Sequence, residues 1–425
     1  MSLTGAAFFY TLIAATIVAV VVTMVAWGAV RGPKFLRGFV RLSLIGLCQL
    51  TAIAVVAVWI NNANGLYSSW GDLFGQQDNA GVGLTTGTTA SAQAASFTGG
   101  PNGFQRTVLH GQASGLTGEV LVWTPPQYSD PEYRNYSFPV IELLHGYPGS
   151  PETWLKGGGM PGPLLQMMNN GKMKPAIVVV PRINPNGINT DCTDVGNIRN
   201  GTWLDTDVPN LVKKDFRVLG DARGWGLLGD STGGYCATKL VLAHPDRFGA
   251  AVALSPDDFR GDPTTVRDKT VLAAQNPLAL IKKAGPQANV SILVATTAHD
   301  HYSTPANAQA LQAAAKFPVT VEQPIVLKDG GHNWGTWASL FPVVFPWLSQ
   351  QLDAPQLVQP AAPTPAPKGA QNPGGPAANA GAKPSGKPTA APSGKPSASP
   401  SAKPSVQPAP GLALNGPVVP THTHS

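Results

Sequence analysis

Gly229-Asp230-Ser231-Thr232-Gly233 constrains what this chain can fold into more than any other segment. It follows a short apolar run, Trp225 to Leu228, and opens a helix-like stretch, so the serine is expected on a sharp turn between a strand and a helix. Such a turn lifts a weakly nucleophilic hydroxyl to where a histidine can take its proton and backbone amides can hold a developing oxyanion. Glycines at both outer positions, with a third at Gly234, suit a strained backbone and a close approach of helix to strand.

The polar groups downstream come in the order nucleophile, acid, histidine. The β-like run Ser291 to Thr296 leads into Ala298, His299, Asp300 and His301, and the run Pro324 to Leu327 leads into Gly330, Gly331 and His332. Both Asp300 and His332 thus lie just past expected strand ends, where open α/β sheets gather their chemistry. His332 is the expected general base, and Asp300 the group that fixes its tautomer and stabilises the imidazolium. Asp257 and Asp258, after the apolar run Ala250 to Leu254, offer an alternative carboxylate from the neighbouring strand. Histidines flank Asp300, but no further Cys, His or Asp spacing completes a metal-ligand set, and no metal or cofactor is expected. Upstream, the run Val140 to Leu144 delivers His145, Gly146, Tyr147, Pro148 and Gly149. The loop after an early strand and the residue after the nucleophile are where oxyanion donors arise, which nominates the backbone N–H groups of Tyr147 and Thr232. His145 is read as orienting that loop.

The segments LLHGYPGS, GLLGDSTGGYCA and GGHNW, taken together, resemble those of an esterase family that includes esterase D, enterochelin esterases and the antigen 85 mycolyltransferases. The similarity runs over about Thr107 to Leu352. It implies an α/β-hydrolase fold, with Ser231, Asp300 and His332 at the positions of nucleophile, acid and base, and Tyr147 and Thr232 at the oxyanion amides. Where the mycolyl-transferring members carry an acidic or arginine-bearing loop after the early strand, this chain has Tyr147 and Pro148, and its acid is an aspartate within AHDHY, closer to the simple esterases.

Alternation of apolar β-like runs with helical stretches through this region predicts a mostly parallel sheet with helices on both faces. Ala176 to Val180 reads as strand, and Trp203 to Lys214, Tyr235 to Ala243 and Ala306 to Lys316 as helix. Gln105 to Leu109 and Glu119 to Trp123 read as an antiparallel pair opening the sheet.

Ahead of the sheet the chain changes solvent. Ala6 to Val30 and Leu42 to Ile60 are free of charge, and each is long enough to span a bilayer. The four basic residues between them, Arg31, Lys34, Arg37 and Arg41, place that loop in the cytoplasm by the positive-inside rule and everything after Ile60 outside it. A cleaved signal peptide needs basic residues before its apolar run, and none precede Arg31. The expected division is a two-helix membrane anchor over 1–60, an interfacial segment and linker over 61–103, a catalytic domain over 104–353, and a disordered Pro/Ala/Lys/Ser-rich tail over 354–425. Within the linker, Leu66 to Phe74, with Tyr67 and Trp70, is read either as lying along the outer interface or as ordinary linker.

The formal net charge of +6 comes from the ends: removing four positive charges of the hairpin loop and five lysines of the tail leaves −3. That balance argues against a nucleic-acid partner. A basic tail outside the membrane fits either contact with anionic envelope polymers or a solubilising extension. Cys48 falls in the second apolar run; Cys192 and Cys236 fall in the outer domain, where a disulfide is permitted, and either a bridge or two free thiols fits the sequence. The residues thus point to a multi-pass, membrane-anchored extracytoplasmic serine esterase acting on small-molecule or lipid esters. The alternatives are an acyltransferase moving a lipid acyl chain to an envelope sugar or alcohol, and a non-catalytic envelope-binding protein on the same fold.

Overall fold

The computed structural model describes residues 5–64, 70, 96–259, 261 and 266–358. Tyr67 and most of the Leu66 to Phe74 segment lie outside these residues, as does the tail from 359 onward.

Two helices come first, α1 (Ala6–Ala29) and α2 (Lys34–Asn64). Both are long and apolar enough to cross a membrane, and each is almost wholly unburied by protein. Within them the hydroxyls of Thr11, Thr16 and Thr23 donate to carbonyls one turn back, which leaves them satisfied without water. The basic cluster differs from its expected setting: Lys34, Arg37 and Arg41 lie on the first turns of α2 and only Arg31 in the turn. Arg41 donates to the Trp27 carbonyl and lies over its ring, packing the long side chain against α1 while the charge stays at the helix ends.

Among the described residues, ten strands form one mixed sheet: β1 (Thr98–Gly99), β2 (Gln105–His110), β3 (Thr117–Trp123), β4 (Val140–Leu144), β5 (Ile177–Pro181), β6 (Trp225–Asp230), β7 (Ala250–Leu254), β8 (Ser291–Thr297), β9 (Thr320–Val321) and β10 (Ile325–Leu327). Their order is β1-β2-β3-β5-β4-β6-β7-β8, with β9 and β10 both pairing with β8. Strands β4 to β10 pair in parallel, while β1, β2 and β3 join antiparallel at one edge. The central strands β4, β5, β6 and β7 are buried at every residue, which is why, apart from the buried Glu142 in β4 and Asp230 at the end of β6, they read as apolar runs.

Alternate residues of these strands feed two cores. Val140, Leu144, Leu227 and Val294 pack on one face with α3 (Val208–Asp215), α4 (Thr232–Ala243) and α5 (Pro305–Ala314); Ile141, Leu143, Leu228 and Val252 pack on the other with α6 (Trp334–Gln351). The two-residue strands Gln356–Leu357 and Tyr136–Ser137 pair antiparallel, and Val358 N–H donates to Asn135, so backbone pairing continues past residue 353.

Candidate active site

Five loops leave the sheet at the carboxyl ends of parallel strands and converge. They follow β4, β6, β7, β8 and β10 and carry Tyr147, Ser231, Asp257, Asp300 and His332 respectively.

Ser231 sits between β6 and α4 with φ 53° and ψ −124°, a conformation a non-glycine residue holds only when its surroundings enforce it. They do so through contact. A Cβ on Gly229 would lie 2.1 Å from the Gly233 carbonyl oxygen, and one on Gly233 would lie 2.1 Å from that of Leu144. The glycines therefore let α4 close onto β4 and β6 and drive the serine upward. Ser231 N–H donates to Leu254 O at 2.9 Å, anchoring the turn to β7.

Three side chains form a hydrogen-bonded chain. His332 Nε2 is 2.8 Å from Ser231 Oγ, and His332 Nδ1 is 3.0 Å from Asp300 Oδ2 and 3.2 Å from Oδ1. Asp300 Oδ1 also accepts the backbone N–H groups of Tyr302 and Ser303 at 2.9 and 3.0 Å. Burial works to raise the Asp300 carboxyl, but the His332 hydrogen bond and charge outweigh it and hold the group below its ordinary value, ionised. The ring centroids of Tyr302 and Trp337 each stand 5.1 Å from that of the imidazole and pack against it.

Tyr147 and Thr232, the nominated amide donors, both line the pocket above Ser231, and Thr232 begins α4, where the helix N-terminus leaves N–H groups free of helical acceptors. Behind them His145 is fully buried: its Nδ1 donates to the Gly146 carbonyl at 2.8 Å and its Nε2 accepts the Ile183 N–H at 3.2 Å. Burial pulls its pKa down to about 3, so it stays neutral and braces the loop.

Two further carboxyls belong to the site. Asp230 Oδ2 accepts the Gly146 N–H at 3.1 Å, whereas Oδ1 is buried with no partner among the described residues, and burial pushes the carboxyl up to about 8. Asp257, weighed from sequence as an alternative acid, contacts Ser231 instead of the histidine's far side: its Oδ1 accepts from Ser231 Oγ at 3.1 Å and its Oδ2 from Thr232 Oγ1 at 2.6 Å. Sequence reasoning did not assign Asp230 any part. Its place inside the pentapeptide was the available signal, but burial is a tertiary property. His299 and His301 are exposed, and no metal-ligand group of three is found among the described residues.

The pocket around these groups has a volume of about 570 Å³. Its walls include Tyr147, Thr153, Asn189, Tyr302, Trp334 and Trp337, and among the described residues no lysine or arginine lines it. Asn189 comes from the long loop after β5, which Cys192 ties to Cys236 of α4 by a disulfide. Beside that bridge the buried Lys239 ammonium donates to the carbonyls of Asp191 and Cys192 and to the Thr193 hydroxyl.

This arrangement can run acyl transfer: a hydroxyl in contact with an imidazole, a carboxylate behind it, and amides beside the serine where an oxyanion would form. The family described as "Putative esterase" matches residues 114–348, more than half of the chain. An uncharacterised protein of Corynebacterium glutamicum is 32% identical over 158 residues, which are 36% of this chain and 35% of that protein. The match thus spans about a third of the relative's length. The solved structure of a ferulic acid esterase superposes with a TM-score of 0.50 at 21% identity, covering 58% of this chain and 97% of the other, a likeness of fold. An S-formylglutathione hydrolase from Agrobacterium tumefaciens gives 0.48 at 16% identity, over 61% of this chain and all of its own.

Proposed function

The chain belongs to the family described as "Putative esterase" and is a serine ester hydrolase or acyltransferase, and from that premise we propose a membrane-anchored enzyme whose catalytic domain works outside the cytoplasm. Ser231 attacks the ester carbonyl, His332 takes the hydroxyl proton and returns it to the leaving alcohol, and Asp300 holds the imidazole through Nδ1. The N–H groups of Tyr147 and Thr232 receive the oxyanion. Water, activated by His332, then releases the acid. The observation that carries this reading is the unbroken hydrogen-bonded chain Asp300–His332–Ser231, with contacts of 3.0 and 2.8 Å.

Transfer of the acyl group to an alcohol is the second outcome of the same acyl-enzyme. A 570 Å³ pocket walled by Tyr147, Tyr302 and Trp337 has room for an acceptor alcohol as well as an acyl chain. Anchoring is supported by the two apolar helices, and orientation by the basic residues between them. The chain is read as anchor, linker, catalytic domain and tail.

A fluorophosphonate probe is expected to label the wild-type protein and not Ser231→Ala, with ester turnover falling by about 10⁶-fold in the variant. Labelling that survives the substitution, or folded wild-type protein that neither labels nor turns over esters, would overturn the assignment. Product partition in the presence of a sugar or simple alcohol separates hydrolysis from transfer.

A further inference from the structure

Ser231 Oγ carries one proton and has two close partners, His332 Nε2 at 2.8 Å and Asp257 Oδ1 at 3.1 Å. We infer that Asp257 competes with His332 for that proton, and so acts as a positioning residue that sets the pH at which the nucleophile becomes available. The inference rests on the reading of Ser231 and His332 as nucleophile and base.

A carboxylate can only accept, so two arrangements are open. With His332 protonated, Nε2–H donates to Oγ and the serine hydroxyl donates to Asp257, satisfying all three groups. With His332 neutral, the hydroxyl must turn to Nε2, leaving a charged Asp257 oxygen facing an oxygen lone pair. The first is favoured while Asp257 is ionised. Passing from one to the other breaks the Oγ–H to Oδ1 hydrogen bond, forms the Oγ–H to Nε2 bond, and releases the Nε2 proton to solvent; no covalent bond to serine changes.

Asp257 is pinned in this position. Its Oδ2 is taken by the Thr232 hydroxyl at 2.6 Å, and its own N–H donates to the Ser231 carbonyl at 3.4 Å. Burial raises the Asp257 carboxyl above its ordinary value, and the Thr232 hydroxyl, the His332 charge and the Ser231 hydroxyl act to lower it. His332 faces it across the pocket with Asp300 behind, Asp258 follows it in the chain, Asp230 lies at the end of β6, and Tyr235 of α4 is a neutral phenol held well above its usual range by burial. Among the described residues, no lysine or arginine lines the pocket. An ionised Asp257 thus holds the serine proton away from the base.

The test is the pH dependence of kcat/KM for a neutral nitrophenyl ester, together with the NMR titration of the His332 imidazole, in the full-length protein. Asp257→Asn is expected to move the acid limb and the imidazole titration down by about 1 pH unit. Well below both limbs, the variant then reaches about a tenfold larger fraction of its own plateau than the wild type. Asp257→Ala, which removes the carboxylate without adding a donor, moves both the same way, and Asp257→Glu restores the wild-type limb. An imidazole titration that is unchanged or raised in Asp257→Asn and Asp257→Ala overturns the inference. Failure of the catalytic reading is distinguishable: wild-type protein without Ser231-dependent turnover would sink that reading, while the imidazole titration still decides whether Asp257 competes.

Discussion

Asp230 lies next to the nucleophile in the chain, yet its chemistry is set by position rather than by neighbours in sequence. Burial at the floor of the site pushes its carboxyl up to about 8, so the folded protein keeps a proton that the unfolded chain releases near pH 4. The contribution to stability is therefore full below about pH 4 and lost progressively as pH rises towards 8. Asp230→Asn keeps an acceptor for the Gly146 N–H and removes the titration. Thermal melts in detergent at pH 5 and pH 8 are expected to differ by several degrees in the wild type and by less in the variant; equal declines would refute this role. The contrast between Asp257 and Asp300 has the same origin. Both follow strand ends and both are aspartates; chain order favours Asp300 in the sequence and leaves Asp257 open as the alternative. What separates them is that Asp300 reaches His332 Nδ1 while Asp257 reaches Ser231 Oγ, distances created by loops that no local propensity encodes.

The turn from β6 into α4 is legible as an element because its requirement is local: three glycines and a serine between an apolar strand and a helix admit few conformations. Parallel strands β4 to β8 are legible for a similar reason, being largely buried on both faces and so mostly apolar. Elements held only by partners are not. The two-residue strands Thr98–Gly99 and Thr320–Val321 carry no periodicity, and neither does the antiparallel pair Asp194–Val195 with Ile198–Arg199 in the long loop after β5. That loop is fixed to α4 by the Cys192–Cys236 bridge and by Lys239, and it presents Asn189 to the pocket. Replacing both cysteines by alanine is expected to cost about 2–4 kcal/mol in chemical denaturation. It should also lower kcat/KM, through loss of order at Asn189, while leaving Ser231 reactive to fluorophosphonate. A double variant as stable and as active as the wild type would show that the bridge does not hold the loop.

At the scale of the whole molecule, the proposed orientation assigns the turn between α1 and α2 to the cytoplasm and the sheet to the other side. A membrane-impermeant maleimide should therefore label Pro33→Cys only after permeabilisation and Lys172→Cys, on the exposed surface of the sheet domain, in intact cells. The reverse pattern would invert the topology. Sequence alone determined the class of fold, the two bilayer-length helices, the sign of the charge between them and the identity of the candidate nucleophile and base. Each of these follows from composition or spacing within a short window, where burial and turn geometry leave a direct imprint on residue type. Tertiary structure decided which carboxylate meets the imidazole, that a second one contests the serine proton, and that a third is kept protonated. Those outcomes depend on angstrom-scale separations and on desolvation between residues up to a hundred positions apart, and neither is written in any local pattern.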